Sequence, residues 1–256
     1  MVLQISIYLG HAICVVKLHL FHDTSISFTI SALGIDEVYD DWRDSTTESS
    51  WRHCFEVIST FSVVEDIEIR RECILSTSCL FPLFILENVI SFVINLKHGS
   101  LLGSDDDFRL LARAFPKLKK LVVSEGPSIS SGRTLACLYH FSQECPDLRE
   151  IRICLSSNAS NNLDAIKKIP HAKVRNNRHP LEKIIVHSRF GQLEPTQLIQ
   201  IAQFLDLIFP SLSWISYIIE IANWAADISY MTEIANWTAI YQFRLALRDA
   251  NAFSAI

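Results

Sequence analysis

Apolar residues in the middle of the chain switch between two periods, and the switching recurs. One short phrase occurs four times: Leu118-x-x-Leu121-x-Val123, Leu148-x-x-Ile151-x-Ile153, Leu181-x-x-Ile184-x-Val186 and Leu212-x-x-Ile215-x-Tyr217. Its leading leucines stand 30, 33 and 31 residues apart. The apolar positions at the end of each phrase fall on every second residue, the spacing of a strand with one buried face. A proline precedes every phrase, at Pro116, Pro146, Pro180 and Pro210, where a residue without an amide ends a helix and cannot donate to a sheet ladder. The phrases predict parallel strands over 118–123, 148–153, 181–186 and 212–217, adjacent in that order.

Between phrases the period lengthens to that of a helix. Phe108, Leu111, Ala112 and Phe115 lie at i, i+3, i+4 and i+7, as do Leu198, Ile201, Ala202 and Leu205, and Leu135, Leu138, Tyr139 and Ser142 repeat the spacing with a polar end. Three return helices are predicted. Ser104 is placed to cap the first, and Asp105, Asp106 and Asp107 suit the positive end of its dipole. Three adjacent carboxylates in a helical first turn point in different directions, so capping is preferred to metal binding. Upstream, Val64-x-x-Ile67-x-Ile69 and Leu86-x-x-Val89 suggest two further strands of the series.

One strand and one helix cannot bury their own apolar faces, so the units must stack. The expected fold class is α/β, an irregular leucine-rich-repeat solenoid with parallel strands inside and helices outside, the period being slightly longer than is usual for such repeats. A doubly wound single sheet is the alternative. The expected organisation is an unassigned segment over 1–50, the solenoid over 51–217, and a helical C-terminal capping segment over 218–256. In that tail Glu220-Ile221-Ala222-Asn223-Trp224 recurs as Glu233-Ile234-Ala235-Asn236-Trp237. Thirteen positions do not return to the same side of one helix, so two short helices or a bend are expected.

Composition narrows the possibilities. A chain of 256 residues with 49% hydrophobic positions can bury a substantial core. A net charge of -5 offers no basic field for phosphates, which argues against nucleic acid as partner. The seven cysteines include no C-x-x-C pair and several fall in apolar runs, which suggests reduced thiols and a cytoplasmic or nuclear location. Residues 1–34 are too interrupted by His and Lys for a signal peptide. Residues 73–96 are long enough to span a bilayer but contain Pro82, Glu87, Asn88 and Asn95, so a buried strand plus a turn is expected there and no membrane partner.

Motifs for chemistry are sparse. Gly126 to Thr134 approaches a phosphate loop but has one residue too many between its glycines and Arg133 where lysine is needed. His19-x-x-His22 has no paired cysteines nearby to complete a zinc site. No catalytic, metal or cofactor-binding residue is therefore expected, and no cofactor. The alternation does expose one surface: residues between the buried leucines point to the opposite face. Its columns are Lys120, Glu150, Lys183 and Trp214; then Val122, Arg152, Ile185 and Ser216; then Ser124, Cys154, His187 and Ile218. Within it Lys120, Arg152, Lys183, His187 and Trp214 are the candidate protein-binding residues, with an exposed Trp beside cations as anchor.

Three stretches carry a resemblance: Asp105-Asp106-Asp107 with Ala114-Phe115-Pro116-Lys117-Leu118; Glu144-Cys145-Pro146-Asp147-Leu148-Arg149-Glu150-Ile151; and Ala202-Gln203-Phe204-Leu205 with Phe209-Pro210-Ser211-Leu212. Over residues 83–217 the chain resembles the repeat region of mushroom-type fungal F-box proteins. That resemblance implies a substrate receptor of a cullin-type ubiquitin ligase, in which an F-box holds the ligase adaptor and the repeats hold the substrate. Residues 1–50 show no recognisable F-box, which leaves open a divergent F-box, a truncated product or a mispredicted coding start. The function expected is a non-catalytic protein-binding scaffold, the alternatives being an enzyme of unrecognised type on a doubly wound fold, or a truncated remnant without function.

Overall fold

The computed structural model describes residues 2–9, 12–20, 26–33, 45–61, 63–71, 74–96, 99–126, 132–169, 179–187, 190, 192–217 and 228–254. Strands β1 (Val2–Leu9), β2 (Ala12–Leu20) and β3 (Ile26–Leu33) precede helix α1 (Ser45–Ser59) and strand β4 (Val64–Arg71). A two-residue strand, β5 (Leu75–Ser76), leads into a 3-10 segment, Thr77–Ile85, which is followed by β6 (Ser91–Leu96) and a second short strand, β7 (Leu101–Leu102). Then come α2 (Asp105–Ala114), β8 (Lys120–Glu125), α3 (Ala136–Glu144), β9 (Glu150–Cys154), α4 (Ala159–Lys167), β10 (Lys183–His187), α5 (Pro195–Ile208), β11 (Trp214–Tyr217) and α6 (Ile228–Ser254).

One sheet joins nine of these strands in the order β1-β2-β3-β4-β6-β8-β9-β10-β11, and β5 pairs with β7 apart from it. The six strands from β4 onward are parallel and follow chain order. β3 also runs parallel to β4, whereas β1, β2 and β3 are mutually antiparallel. Each helical segment lies against the next in chain order, from α1 through the 3-10 segment to α6. The protein is thus α/β, with a parallel sheet backed by a continuous layer of helices.

The repeated phrases make that sheet. Ile67, Phe92, Leu121, Ile151, Ile184 and Ile215 stand level with one another across six strands. The first five are buried; Ile215 is only partly covered, β11 being the end strand of the sheet among the described residues. Helix residues fill the space behind: Phe92 packs on Phe115 with ring centroids 5.1 Å apart, and Phe108 on Phe141 at 6.2 Å. The predicted helical positions Phe108, Leu111, Ala112, Leu138, Leu198, Ile201, Ala202 and Leu205 are all buried in this core.

Several expectations are corrected in detail. Each strand starts two residues after the leading leucine, because that leucine closes a turn: the amides of Leu118, Leu148 and Leu212 donate to Phe115, Cys145 and Phe209. Leu86 and Val89 do not lie on a strand. They are buried in the turn before β6, and the phrase there is Val89-x-x-Phe92-x-Ile94. Residues 73–96 contain the 3-10 segment and β6, in line with a buried strand plus turn, and no described helix is long and apolar enough to cross a membrane. The sheet continues into residues 1–50 as β1 to β3, and the expected boundary at 50 falls inside α1. The second copy of the tail phrase lies within the single helix α6; the first copy, Glu220 to Trp224, is outside the described residues.

Candidate functional site

The sheet face opposite the helices presents the residues between the buried positions. Asp66, Ser91, Lys120, Glu150, Lys183 and Trp214 form one row from β4 to β11, and Glu68, Val93, Val122, Arg152, Ile185 and Ser216 form the next. This is the register that alternation demands when the leucine face is buried. All five candidate binding residues share this face. Lys120 and Trp214 are exposed, the indole to 60%, while Arg152, Lys183 and His187 are half-buried.

The charges interlock along the first row. Glu150 stands between two lysines, with Lys183 Nζ at 3.0 Å and Lys120 Nζ at 4.0 Å. Lys183 also lies over the Trp214 ring, 5.7 Å from its centroid. Pairs this open contribute little to stability, so their effect is to orient the lysines on the face, Lys183 against the indole. Arg152 is one row up, level with Ile185, and His187 stands level with Cys154 in the third row. Ile218, expected to end that row, is outside the described residues.

Alternation alone would have extended the face two strands further. On β4, Asp66 and Glu68 stand on this side, and burial, then the neighbouring Glu65, holds the Asp66 carboxyl above its ordinary value. Arg70 donates to Glu68 at 2.6 Å. The Val64 phrase was the signal for Asp66 and Glu68, whereas Ser91, Val93 and Asn95 were hidden by the misplaced phase at Leu86. The face is therefore graded, acidic at β4 and cationic with an aromatic at β8 to β11.

At the C-terminal edge of the strands, on the helix-covered side of the sheet, lies a buried ion pair. Glu125, the last residue of β8, accepts from Arg133 Nη2, while Arg133 Nε donates to the Cys154 carbonyl at 3.1 Å. The guanidinium carbon lies 4.8 Å from the centre of the Phe108 ring. Arg133 belongs to the stretch that approached a phosphate loop, of which residues 127–131 are outside the described residues. Its charge is already committed to Glu125, a structural tie across two units. Cys54, Cys79, Cys137, Cys145 and Cys154 are thiols, not disulfides. Burial pushes up the thiols of Cys137 and Cys154, and that of Cys145 to about 12, so these sulfurs are protonated at neutral pH. Among the described residues, no group of three or more His, Cys, Asp or Glu is placed to hold a metal ion.

The aspartates of the first turn of α2 show how the residue pattern was resolved. Asp107 and Ser104 form a reciprocal capping box, and the Asp105 carboxylate accepts from the amide and hydroxyl of Thr134 at 2.7 and 2.6 Å. No family model matches the sequence, and no curated protein matches it.

Proposed function

We propose that the chain is a non-catalytic protein-binding scaffold, a leucine-rich-repeat-like solenoid that holds its partner on the open sheet face. One observation carries this reading: six parallel strands follow chain order, with helices on one face and a graded, uncovered face on the other. A doubly wound sheet places its ligand where strand order reverses, and β4 to β11 contain no reversal. The binding residues are Lys120, Arg152, Lys183, His187 and Trp214, with Trp214 as anchor, because an exposed indole with the Lys183 cation against it combines apolar area with charge selection. The resemblance of residues 83–217 to fungal F-box repeats further suggests that the partner is the substrate of a cullin-type ubiquitin ligase, held in the reducing cytoplasm or nucleus. Such a chain meets the ligase adaptor through an F-box in its full gene product.

The test is affinity capture from the source cells with the full chain and with a Trp214→Ala/Arg152→Ala variant. Recovery of cullin and adaptor peptides together with a partner lost in the variant supports the receptor. Trp214→Ala alone keeps the melting temperature, since exposed substitutions change stability by about 0.5 kcal/mol or less, and the melting of the half-buried Arg152→Ala is measured beside it. Undiminished capture by a folded variant defeats the assignment of the open face, and turnover of a small molecule by the purified chain defeats the non-catalytic reading.

A further inference from the structure

Most charges on the open face are neutralised within the face itself. The two oxygens of Glu150 are shared between Lys183 and Lys120, and Arg70 donates to Glu68. Arg152 and Asp66 stand apart: among the described residues neither side chain has an ion pair or a hydrogen bond. The two differ in what they can attract. Burial, then Glu65, favours the neutral form of the Asp66 carboxyl, whereas a guanidinium cannot give up its proton. The stretch from β8 to β10 thus presents three cations, Lys120, Arg152 and Lys183, against the one carboxylate of Glu150.

Arg152 stands level with Val122 on one neighbouring strand and Ile185 on the other, and all three are half-buried. A guanidinium presents a planar fork of donors that meets a carboxylate at two points. In an apolar row with part of its surface covered, such a pair is stronger than it would be in open water. The large apolar group exposed on the same face is Trp214, two strands further on and one row back along the strands. Strands about 4.8 Å apart, with a rise of about 3.3 Å per residue, separate the two positions by about 12 Å, which is about four residues of extended chain. Residues four apart in an extended chain project to the same side.

Resting on the reading of the open face as the binding surface, we infer that the partner docks through an extended acidic segment, with an aspartate or glutamate received by Arg152 and an apolar side chain about four residues away laid on Trp214. Charge complementarity fixes the sign of the segment, because Lys120 and Lys183 flank the Arg152 strand and repel a basic one. Trp214 supplies apolar area to any partner, so Arg152 is the residue that determines specificity.

The probe is a display library of random peptides of about twelve residues, three times the inferred spacing, selected on the full chain. Recovered peptides are then synthesised and titrated against the parent, Arg152→Met, Arg152→Lys and Trp214→Ala. The expected peptides carry an aspartate or glutamate with an apolar residue about four positions away. Their Kd rises about tenfold or more in Arg152→Met and in Trp214→Ala, and Arg152→Lys, which keeps the charge without the fork, recovers part of the loss. Circular dichroism melting reports whether Arg152→Met folds; glutamine at the acidic position of the peptide makes the same test on the parent chain. Peptides that depend on Trp214 but show no acidic enrichment overturn the acidic segment and leave the open face standing. Peptides that bind Arg152→Met and Trp214→Ala as tightly as the parent overturn both. Recovery of no peptide, or binding that requires phosphoserine at the acidic position, also overturns the inferred segment.

Discussion

His179 shows at the scale of one residue how units are joined. Its Nδ1 accepts the Leu181 amide at 3.2 Å, so Nε2 carries the proton and donates to the Cys145 carbonyl of the preceding unit, while the ring packs on Phe209 with centroids 4.9 Å apart. Burial lowers its pKa below the ordinary 6.5, against the opposing pull of the Cys145 carbonyl and Asp147. The unfolded chain therefore binds a proton that the native ring refuses. Stability from this site is fully present above pH 6.5 and is lost as pH falls from there through the folded pKa. His140 is also lowered by burial and adds in the same direction, so the contribution of His179 is isolated by difference. Between about pH 7.5 and about pH 5.5 the denaturant midpoint of the parent should fall further than that of His179→Gln. Equal slopes would show that His179 titrates as it does in the unfolded chain.

Among the elements, α2 is tied more firmly than its length suggests, and its three aspartates do different work. Asp107 closes the capping box with Ser104, whereas Asp105 reaches across to the start of α3 through Thr134. Asp106 is exposed, with Arg109 at 3.1 Å one turn on. Thermal unfolding should rank them: Asp105→Ala costs about 2 kcal/mol through two charge-assisted hydrogen bonds, Ser104→Ala about 1 kcal/mol through the cap, and Asp106→Ala about 0.5 kcal/mol or less. A large loss at Asp106 would mean that the acidic run acts as a unit. The helix α4 was not predicted from periodicity. Its buried face is short, Leu163 and Ile166 with Asn162, and Asn162 is there to serve the neighbouring unit: its Oδ1 accepts from the Leu135 amide at 2.8 Å. A polar residue in the buried stripe erased the signal.

For the whole molecule, the level row from Ile67 to Ile215 makes every interior unit depend on both neighbours. Ile151 sits between Leu121 and Ile184, fully buried. Ile151→Asp places a carboxylate there with no partner, at a cost of several kcal/mol against a domain stability of about 5 to 15 kcal/mol. The expected outcome is loss of the cooperative unfolding transition by circular dichroism. The same substitution at Ile215, on the half-covered end strand, should leave a folded protein of reduced stability. A cooperative transition retained in Ile151→Asp would refute the placement of this row.

What the sequence determined by itself was local and periodic. The phrases, the prolines and the cap at Ser104 set which residues face the core, because a period of two and a period of 3.6 each assign a side to every residue. The open face followed from the same alternation, down to Lys120, Arg152, Lys183, His187 and Trp214. It failed where the period was interrupted, at Leu86 and Val89 by a turn closing on apolar residues and at Asn162 by a buried amide. Only the tertiary structure decided the side-chain pairings within and between neighbouring units: Glu125 with Arg133, Asp105 with Thr134, Glu150 with both lysines, and Arg244 with the carbonyls of the last turn. Those partners are fixed by how far the chain travels before it returns to the sheet, and hydrogen-bonding groups leave no periodic mark to show where that return brings them.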